Sequence, residues 1–186
     1  MKQVFLVILL LLMGVGCSKP LPTFGEIPDF SLLNQEGESI SKEDFLDSEW
    51  VANFVYTGCS DICPMLTTQT IRLGKELQEA GITGVKLVTF SVDPENDTPE
   101  RLKSYRERFD GRDLEWALLT GPLDEVEKTV IHGFHVTMQK NPEELTSVLH
   151  MEKFVLMDRK AQIRGYYDVD KLPELVKALK KLKKGS

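Results

Sequence analysis

Two cysteines, Cys59 and Cys63, lie where an apolar stretch gives way to a helical pattern, and this junction constrains the fold more than any other part of the chain. The apolar and aromatic run Trp50–Tyr56 predicts a buried strand. Pro64 suits the first turn of a helix, where no backbone donor is needed. Apolar and small residues then recur every three or four positions, which predicts one buried helical stripe: Leu66, Thr70, Leu73, Leu77 and Ala80. We therefore expect both cysteines at the strand-to-helix turn, close enough to share one helix face.

The chemistry of this turn is narrowed by the spacing of its residues. A helix N-terminus favours the thiolate, the form that attacks disulfides and binds metal. The alternative is that Cys59 and Cys63 are small core residues, but strand-to-helix turns are where functional sites concentrate. Three residues separate the cysteines, whereas a thioredoxin motif has two. A peroxiredoxin has threonine three residues before its reactive cysteine, where this chain has Tyr56 and Ser60.

The first seventeen residues have the pattern of a secretory signal. Lys2 precedes an apolar run, Val4–Val15, that is too short for an ordinary membrane helix. A cysteine follows, so we predict a bacterial lipoprotein with Cys17 acylated after cleavage, although Gly14 stands where leucine is usual. An uncleaved membrane anchor is the alternative. Either reading places the rest of the chain in an extracytoplasmic space, on the periplasmic side or the outer face of the cytoplasmic membrane.

The remaining chain is long enough for one domain with a substantial core. We predict a signal peptide over residues 1–17, a tether over 18–27 and a folded domain over 28–184. The formal net charge of −6 gives no indication of nucleic-acid binding. Once Cys17 is assigned to lipid, Cys59 and Cys63 form a pair, which an oxidising compartment could close as a disulfide.

The order of the elements predicts an α/β fold with a central mixed sheet flanked by helices. An N-terminal hairpin over Asp29–Ser41 precedes the cysteine strand, and a strand–helix alternation follows it. This alternation implies parallel strands with right-handed crossovers. A late hairpin, Lys153–Tyr166, adds an antiparallel edge before a last helix. The plan is thioredoxin-like, with a polar insertion over Thr137–Ser147 before the fourth core strand.

Three histidines are candidates for a third functional group beside the dithiol. His132 and His135 end the third helix, where the helix dipole alone favours them, although they could chelate a metal. His150 ends the polar loop and directly precedes a strand. In a thioredoxin-like fold that loop approaches the cysteine turn, so a ligand role is favoured over that of a solvated loop histidine. Two thiolates and an imidazole suit copper(I) or zinc. Met65 and Met151 are close in sequence, but methionine is more often core filler.

Three segments together resemble the Sco/SenC family. They are Cys59–Pro64, Ser91–Pro99 and His150 before a strand, and the resemblance spans about residues 24 to 180. It implies one copper ion per chain, bound by Cys59, Cys63 and His150. It also implies delivery of copper to the binuclear copper site of cytochrome c oxidase, or reduction of the cysteines of that site. Asp93 belongs to the family motif, and the sequence gives it no definite role.

We therefore interpret the chain as a copper metallochaperone rather than an enzyme. The dithiol captures copper when reduced and loses the site when it closes as a disulfide, so delivery depends on redox poise. The expected partners are the copper-site subunit of the oxidase, or another copper or thiol partner, and the membrane through an N-terminal lipid. Two alternatives remain: a thiol-disulfide oxidoreductase with Cys59 and Cys63 as its redox pair, and a copper or redox sensor.

Overall fold

The computed structural model describes residues 20–136 and 152–185. Within these ranges one seven-stranded sheet has the order β2-β1-β5-β4-β3-β6-β7. Its strands are β1 (Ser31–Asn34), β2 (Ser39–Ser41), β3 (Glu49–Val55), β4 (Val85–Ser91), β5 (Trp116–Thr120), β6 (Lys153–Met157) and β7 (Ile163–Asp168). The helices are α1 (Ile62–Glu79), α2 (Pro99–Glu107), α3 (Leu123–Glu127) and α4 (Leu172–Lys184), with a short 3-10 turn over Lys42–Phe45.

The strand directions confirm the predicted mixed sheet. Strands β3, β4 and β5 are parallel, as expected for strands joined through helices. The late hairpin β6–β7 is antiparallel and adds to β3, while the N-terminal hairpin β1–β2 adds to β5 at the other side. Because β3 and β4 are parallel, their carboxyl ends meet at one edge of the sheet. The cysteine turn follows β3 at that edge.

Side chains that alternate along each strand point to opposite faces of the sheet, and this divides the core into two layers. On β3, Val51 and Val55 face a layer that includes α1, α2 and α4. Trp50 and Phe54 face the opposite layer, which includes α3 and the N-terminal segment. This period of two is what a strand buried on both faces requires. The helices α1 and α3 therefore lie on opposite faces of the sheet.

A buried chain of hydrogen bonds ties α1 to three strands. Trp116 Nε1 donates to Thr89 Oγ1 at 2.9 Å, and Thr89 Oγ1 donates to Asn53 Oδ1 at 2.6 Å. Asn53 Nδ2 then donates to Thr70 Oγ1 at 2.8 Å, and Thr70 Oγ1 donates to the Leu66 carbonyl at 2.9 Å. Buried polar groups are costly unless paired, and here each donor has an acceptor. These hydrogen bonds fix the position of α1 along its axis. They therefore also fix the position of the turn from which α1 starts.

The helix α3 does not end as an ordinary α-helix. From Lys128 to Gly133 the backbone is π-helical, and Thr129 Oγ1 donates to the Glu125 carbonyl at 2.7 Å. Gly133 packs against Pro28, where an added Cβ would lie 2.8 Å from Pro28 Cδ. The wider turn lets this helix end pass close to the N-terminal segment.

The N-terminal segment is held along β7. The Phe24 N–H donates to the Ile163 carbonyl, and the Ile163 N–H donates to the Gly25 carbonyl, both at 2.8 Å. In the described ranges no helix combines the length and the apolar character needed to cross a bilayer. The predicted signal peptide with Cys17, the insertion over Thr137–Ser147, and His150 lie outside the described residues, so they stay predictions, as do the domain boundaries.

Candidate metal centre

The dithiol lies on the turn between β3 and α1, as the sequence predicts. After Val55 the backbone closes a tight turn in which the Cys59 N–H donates to the Tyr56 carbonyl at 3.2 Å. The helix α1 begins at Ile62, with Asp61 as its N-cap residue. Cys63 therefore lies in the first helical turn, where backbone N–H groups have no partner within the helix. One of them is used by the site, because the Cys63 N–H donates to Cys59 Sγ at 3.3 Å.

The two thiols differ in their surroundings. Both are free, and Cys59 is partly exposed whereas Cys63 is fully buried. Cys63 lies in the core layer formed by α1 and β3, together with Val55 and Leu66. A partner or a metal ion can therefore approach Cys59 from solvent, while Cys63 lies behind it.

The electrostatics of the turn displace the two thiol pKa values in opposite directions. Partial burial works against ionisation of Cys59, but hydrogen bonds from the Cys63 side chain and from the backbone of Cys63, Asp61 and Ile62 outweigh it. The pKa of Cys59 is therefore lowered. Burial raises the pKa of Cys63, and the charges of Cys59 and Asp97 raise it further. Cys59 is thus the more acidic thiol of the pair.

Tyr56 is the third side chain at the cysteine turn. Its ring packs against both core layers and lies beside Cys59. Burial raises the pKa of the Tyr56 hydroxyl, and the neighbouring Cys59 charge adds to the effect. The hydroxyl therefore stays protonated and can donate to the Cys59 thiolate.

A buried carboxylate, Asp97, lies beneath the turn. It is 0% exposed and accepts hydrogen bonds from the Thr57 N–H at 3.1 Å and from Ser91 Oγ at 2.6 Å. Thr57 Oγ1 donates to it as well, at 2.5 Å. Asp97 thus joins the end of β3, two residues before Cys59, to the end of β4. Asp97 is not among the site residues predicted from the sequence, where its one distinguishing feature is its place in the Ser91–Pro99 segment.

Asp93, to which the sequence assigns no definite role, lies at the rim of this network. Its carboxylate accepts from Asn96 Nδ2 at 2.9 and 3.0 Å, and its N–H donates to Ser91 Oγ at 3.1 Å. The side chain is half-buried. Asp93 therefore shapes the loop after β4, which in turn presents Asp97 to the cysteine turn.

The histidines are not gathered at the dithiol among the residues described. His132 and His135 are exposed at the end of the π-helical segment, on the sheet face opposite α1. In residues 20–136 and 152–185, no group of three or more His, Cys, Asp or Glu side chains is arranged to hold a metal ion. Met65 is 40% exposed on α1 and is not core filler, while Met151 and the predicted ligand His150 lie outside these ranges.

The donors present at the turn fit a soft metal ion. Cys59 and Cys63 supply two sulfur ligands, and the lowered pKa of Cys59 makes its thiolate easier to form. Thiolates select copper(I) and zinc over harder ions such as magnesium. Metal binding would also ionise Cys63, because a coordinating thiol is deprotonated by the cation it binds.

A family model described as SCO1/SenC matches residues 20–184 of the chain. The chain belongs to the SCO1/SenC family. The SCO1 protein homolog of Bacillus subtilis is 33% identical over 150 residues, which are 80% of this chain and 77% of that protein. This single family model spans the cysteine turn, the Ser91–Pro99 segment and the late hairpin.

Solved structures of Sco proteins superpose on most of this chain. BsSco, a member of the Sco family of cytochrome c oxidase assembly proteins with an identified disulfide switch, matches with a TM-score of 0.76 at 28% identity, over 88% of this chain and 98% of that one. A SCO1/SenC family lipoprotein from Bacillus anthracis str. Ames matches with 0.79 at 29% identity, over 89% and 98%. ScoI of Bradyrhizobium japonicum with copper bound matches with 0.64 at 25% identity, over 86% and 98%. The predicted thioredoxin-like fold is confirmed.

Proposed function

We propose that this protein is a copper-binding metallochaperone that carries copper to the binuclear copper site of cytochrome c oxidase. The observation that carries the proposal is the asymmetric dithiol, in which Cys59 is partly exposed and has a lowered pKa, while Cys63 is buried. A carrier has to bind copper tightly and still release it. An accessible sulfur allows a partner thiol to replace the bonds one at a time. The copper-bound ScoI relative and the oxidase-assembly role of BsSco support the same function.

The proposed site holds one copper ion per chain through Cys59, Cys63 and His150. Copper is the cargo, and the residues of this chain determine when it can be held. When the two thiols are oxidised, they lose two electrons and two protons to an acceptor and form a disulfide that no longer binds copper. The hydrogen bonds of Asp97 involve neither sulfur, so closing the disulfide would not require any of them to break.

X-ray absorption of the reduced, copper-loaded protein tests this site. We expect two sulfur ligands, one nitrogen ligand and one copper per chain. Replacement of Cys59 or Cys63 by serine should abolish stoichiometric binding, whereas replacement of the exposed His132 or His135 by alanine should leave it unchanged. A copper site without sulfur, or one that persists in the Cys59→Ser variant, contradicts the proposal.

A thiol-disulfide oxidoreductase is the second candidate, and the opposite pKa shifts of the two cysteines favour it specifically. An attacking cysteine needs a lowered pKa and access to a partner disulfide, while the second cysteine needs only to resolve the mixed disulfide. Cys59 and Cys63 match these two roles. The disulfide switch of BsSco also fits this activity. Both candidate functions use the same pair and differ in their need for a third ligand.

We further propose that the protein is an extracytoplasmic lipoprotein, with cleavage before Cys17 and an acyl anchor on that residue. The signal-like sequence supports this location, and so does the lipoprotein relative from Bacillus anthracis. Membrane fractionation tests it. The Cys17→Ser variant should no longer be labelled by a radioactive fatty acid. It should also be absent from the acylated protein of the membrane fraction. Retained acylation would exclude Cys17 as its site.

A further inference from the structure

A basic groove lies at the end of the sheet opposite the dithiol. It has a volume of about 950 Å³ and lies between the N-terminal segment, the β6–β7 turn and the exposed side of α4. We propose that this groove binds the anionic phospholipid surface of the membrane and thereby orients the domain. Seven cationic residues line the basic groove: Arg159, Lys160, Arg164, Lys177, Lys180, Lys181 and Lys184.

The positive charge of the basic groove is largely uncompensated. In the described part of the chain, no ion pair involves its five lysines. Both arginines of the lining are paired, Arg164 with Asp158 and Arg159 with the buried Glu49, each at 2.8 Å. The charge that remains is that of the five lysines, against the single carboxylate of Asp47 in the lining. The whole chain carries a formal charge of −6, so this concentration of cations is local and opposite in sign to the rest of the protein.

The basic groove is also next to the start of the described chain. Pro20 and Leu21 line it, and Arg164 holds this segment in place by donating to the carbonyls of Leu21 at 2.6 Å and Pro22 at 2.9 Å. Cys17 precedes Pro20 by three residues, a reach of at most about 11 Å. A membrane anchor in the preceding apolar run would therefore bring the basic groove close to lipid headgroups.

The geometry of the sheet places the dithiol at the end of the domain farther from the basic groove. The β6–β7 turn, with Arg159 and Lys160, lies beside the amino end of β3, because Trp50 pairs with Met157. Cys59 follows the carboxyl end of the same seven-residue strand, roughly 20 Å away. Docking through the basic groove would hold the dithiol away from the lipid and open to a partner.

A lipid surface fits the chemistry of the groove better than an acidic protein does. Lysines are flexible point charges without directional preference, which suits a mobile layer of phosphate headgroups. The apolar side of α4 is buried in the core through Leu172, Leu175, Leu179 and Leu182. The helix can therefore lie on the headgroups with its lysines but has no free apolar face to insert. Each lysine is expected to strengthen binding about fivefold at low salt.

Vesicle co-sedimentation tests this surface with a protein that begins at Ser18 and has no lipid. Such a protein contains every described residue and the whole range, residues 20–184, that the family model matches. The wild type should bind phosphatidylcholine vesicles that contain phosphatidylglycerol, and should not bind phosphatidylcholine alone. The variant Lys177→Gln/Lys180→Gln/Lys184→Gln should bind about a hundredfold more weakly, from three fivefold losses. The matched control is Lys75→Gln/Lys103→Gln/Arg112→Gln, which removes three exposed cations elsewhere and should lose little.

Three outcomes would overturn the proposal: no binding to anionic vesicles, equal losses in the two triple variants, or equal binding to neutral vesicles. The first would leave an acidic protein as the partner of the groove. Inorganic phosphate at the concentration of the lipid phosphate should not compete, and full competition would assign the groove to a soluble anion instead. Copper binding at the dithiol should be identical in all three proteins. A failure here is therefore distinct from a failure of the metallochaperone proposal.

Discussion

The backbone N–H of Cys63 donates to Cys59 Sγ at 3.3 Å, so one cysteine stabilises the thiolate of the other. The spacing of four residues makes this contact possible, since it places Cys59 just before the first helical turn and Cys63 within it. The same geometry buries Cys63 beneath Cys59, which raises the pKa of Cys63. Cys59 is therefore the thiol that reacts or binds first. Cys63 keeps its proton until a metal ion or a disulfide bond replaces it.

This asymmetry predicts the order in which the cysteines are alkylated. With limiting iodoacetamide at neutral pH, Cys59 should be modified at least about ten times faster than Cys63, because the thiolate is the reactive form. As the pH falls, the rate at Cys59 should persist below the ordinary thiol pKa, since its own pKa is lowered. Peptide mapping by mass spectrometry gives the two rates. The control is the Cys63→Ser variant, in which Cys59 should still react rapidly. Equal rates at both positions would show that the two thiols are equivalent.

Asp97 should contribute more to stability than the more exposed carboxylate of the same segment. Asp97→Ala leaves the Thr57 N–H, the Thr57 hydroxyl and the Ser91 hydroxyl without their acceptor. Hydrogen bonds to a charged group are worth about 1.5–3 kcal/mol, so we expect a loss of at least about 2 kcal/mol in the free energy of unfolding. Urea denaturation of the reduced protein measures it. The matched control is Asp93→Ala, which should cost less because Asp93 is only half-buried.

Replacement of Asp97 should also change the reactivity of Cys63. The Asp97 charge is one of the causes that raise the pKa of Cys63, so its removal should lower that pKa and speed the alkylation of Cys63. Asp97→Asn separates charge from packing, because it keeps the size of the side chain. An unchanged rate of Cys63 alkylation in a folded Asp97→Asn protein would limit Asp97 to a structural role.

A buried ion-pair cluster at the other end of β3 predicts acid sensitivity. Glu49 is 1% exposed, and its two carboxylate oxygens accept from Arg159 Nε and Lys183 Nζ, each at 2.8 Å. Burial works to raise the pKa of Glu49, but the hydrogen bonds from Lys183 and Arg159 outweigh it and the net shift is downward. A folded-state pKa below the unfolded value of 4.5 stabilises the protein above pH 4.5, and this stability is lost as the pH falls through the folded value.

Glu49→Gln should therefore lower stability near neutral pH by about 1–3 kcal/mol and flatten its decline in acid. For a chain of this length, each kcal/mol corresponds to about 2–4 °C in Tm. Thermal melts between pH 7 and pH 3 measure both effects. The control is Glu79→Gln at the exposed end of α1. If the wild type and Glu49→Gln lose Tm in parallel as the pH falls, the acid sensitivity comes from other groups.

The sequence could predict the fold because its strongest patterns are local. The apolar run before the cysteines became β3, and the spaced apolar residues after them became α1. The role of Asp97 could not be predicted in this way. Its contact with Thr57 joins residues 40 positions apart, and it depends on two parallel strands ending side by side. In the sequence, Asp97 looks like part of a helix start, where Thr98 is indeed the N-cap residue and accepts from the Arg101 N–H.

The basic groove was hidden for a similar reason. Its lysines on α4 have the pattern of an ordinary solvated helix face, and only the fold brings Arg159 and the N-terminal segment beside them. The π-helical end of α3, where Gly133 packs against Pro28, also has no counterpart in the apolar periodicity. Tertiary contacts of this kind override what a local pattern can indicate.

The last prediction separates copper carriage from thiol reduction and concerns His150. Removal of either cysteine abolishes both functions, so neither can distinguish them. A carrier needs a third ligand, because two thiolates alone leave copper more open to exchange and oxidation. A reductase needs only thiolate character, which the start of α1 supplies at Cys59. We therefore expect His150→Ala to impair assembly of the oxidase copper site nearly as much as Cys59→Ser, and added copper to rescue partly a strain that lacks the protein.

Oxidase activity and copper content of membranes that carry each variant measure this effect. His132→Ala and His135→Ala are the matched controls, since they remove the same type of side chain from exposed positions on the sheet face opposite α1. Normal oxidase in His150→Ala cells, together with its loss in Cys59→Ser cells, would mean that copper holding is dispensable. The pair would then act on a disulfide of the partner, with Cys59 as the attacking sulfur and Cys63 as the resolving one. Because alkylation order depends on the dithiol alone, it would be the same under both functions, and only the third ligand tells them apart.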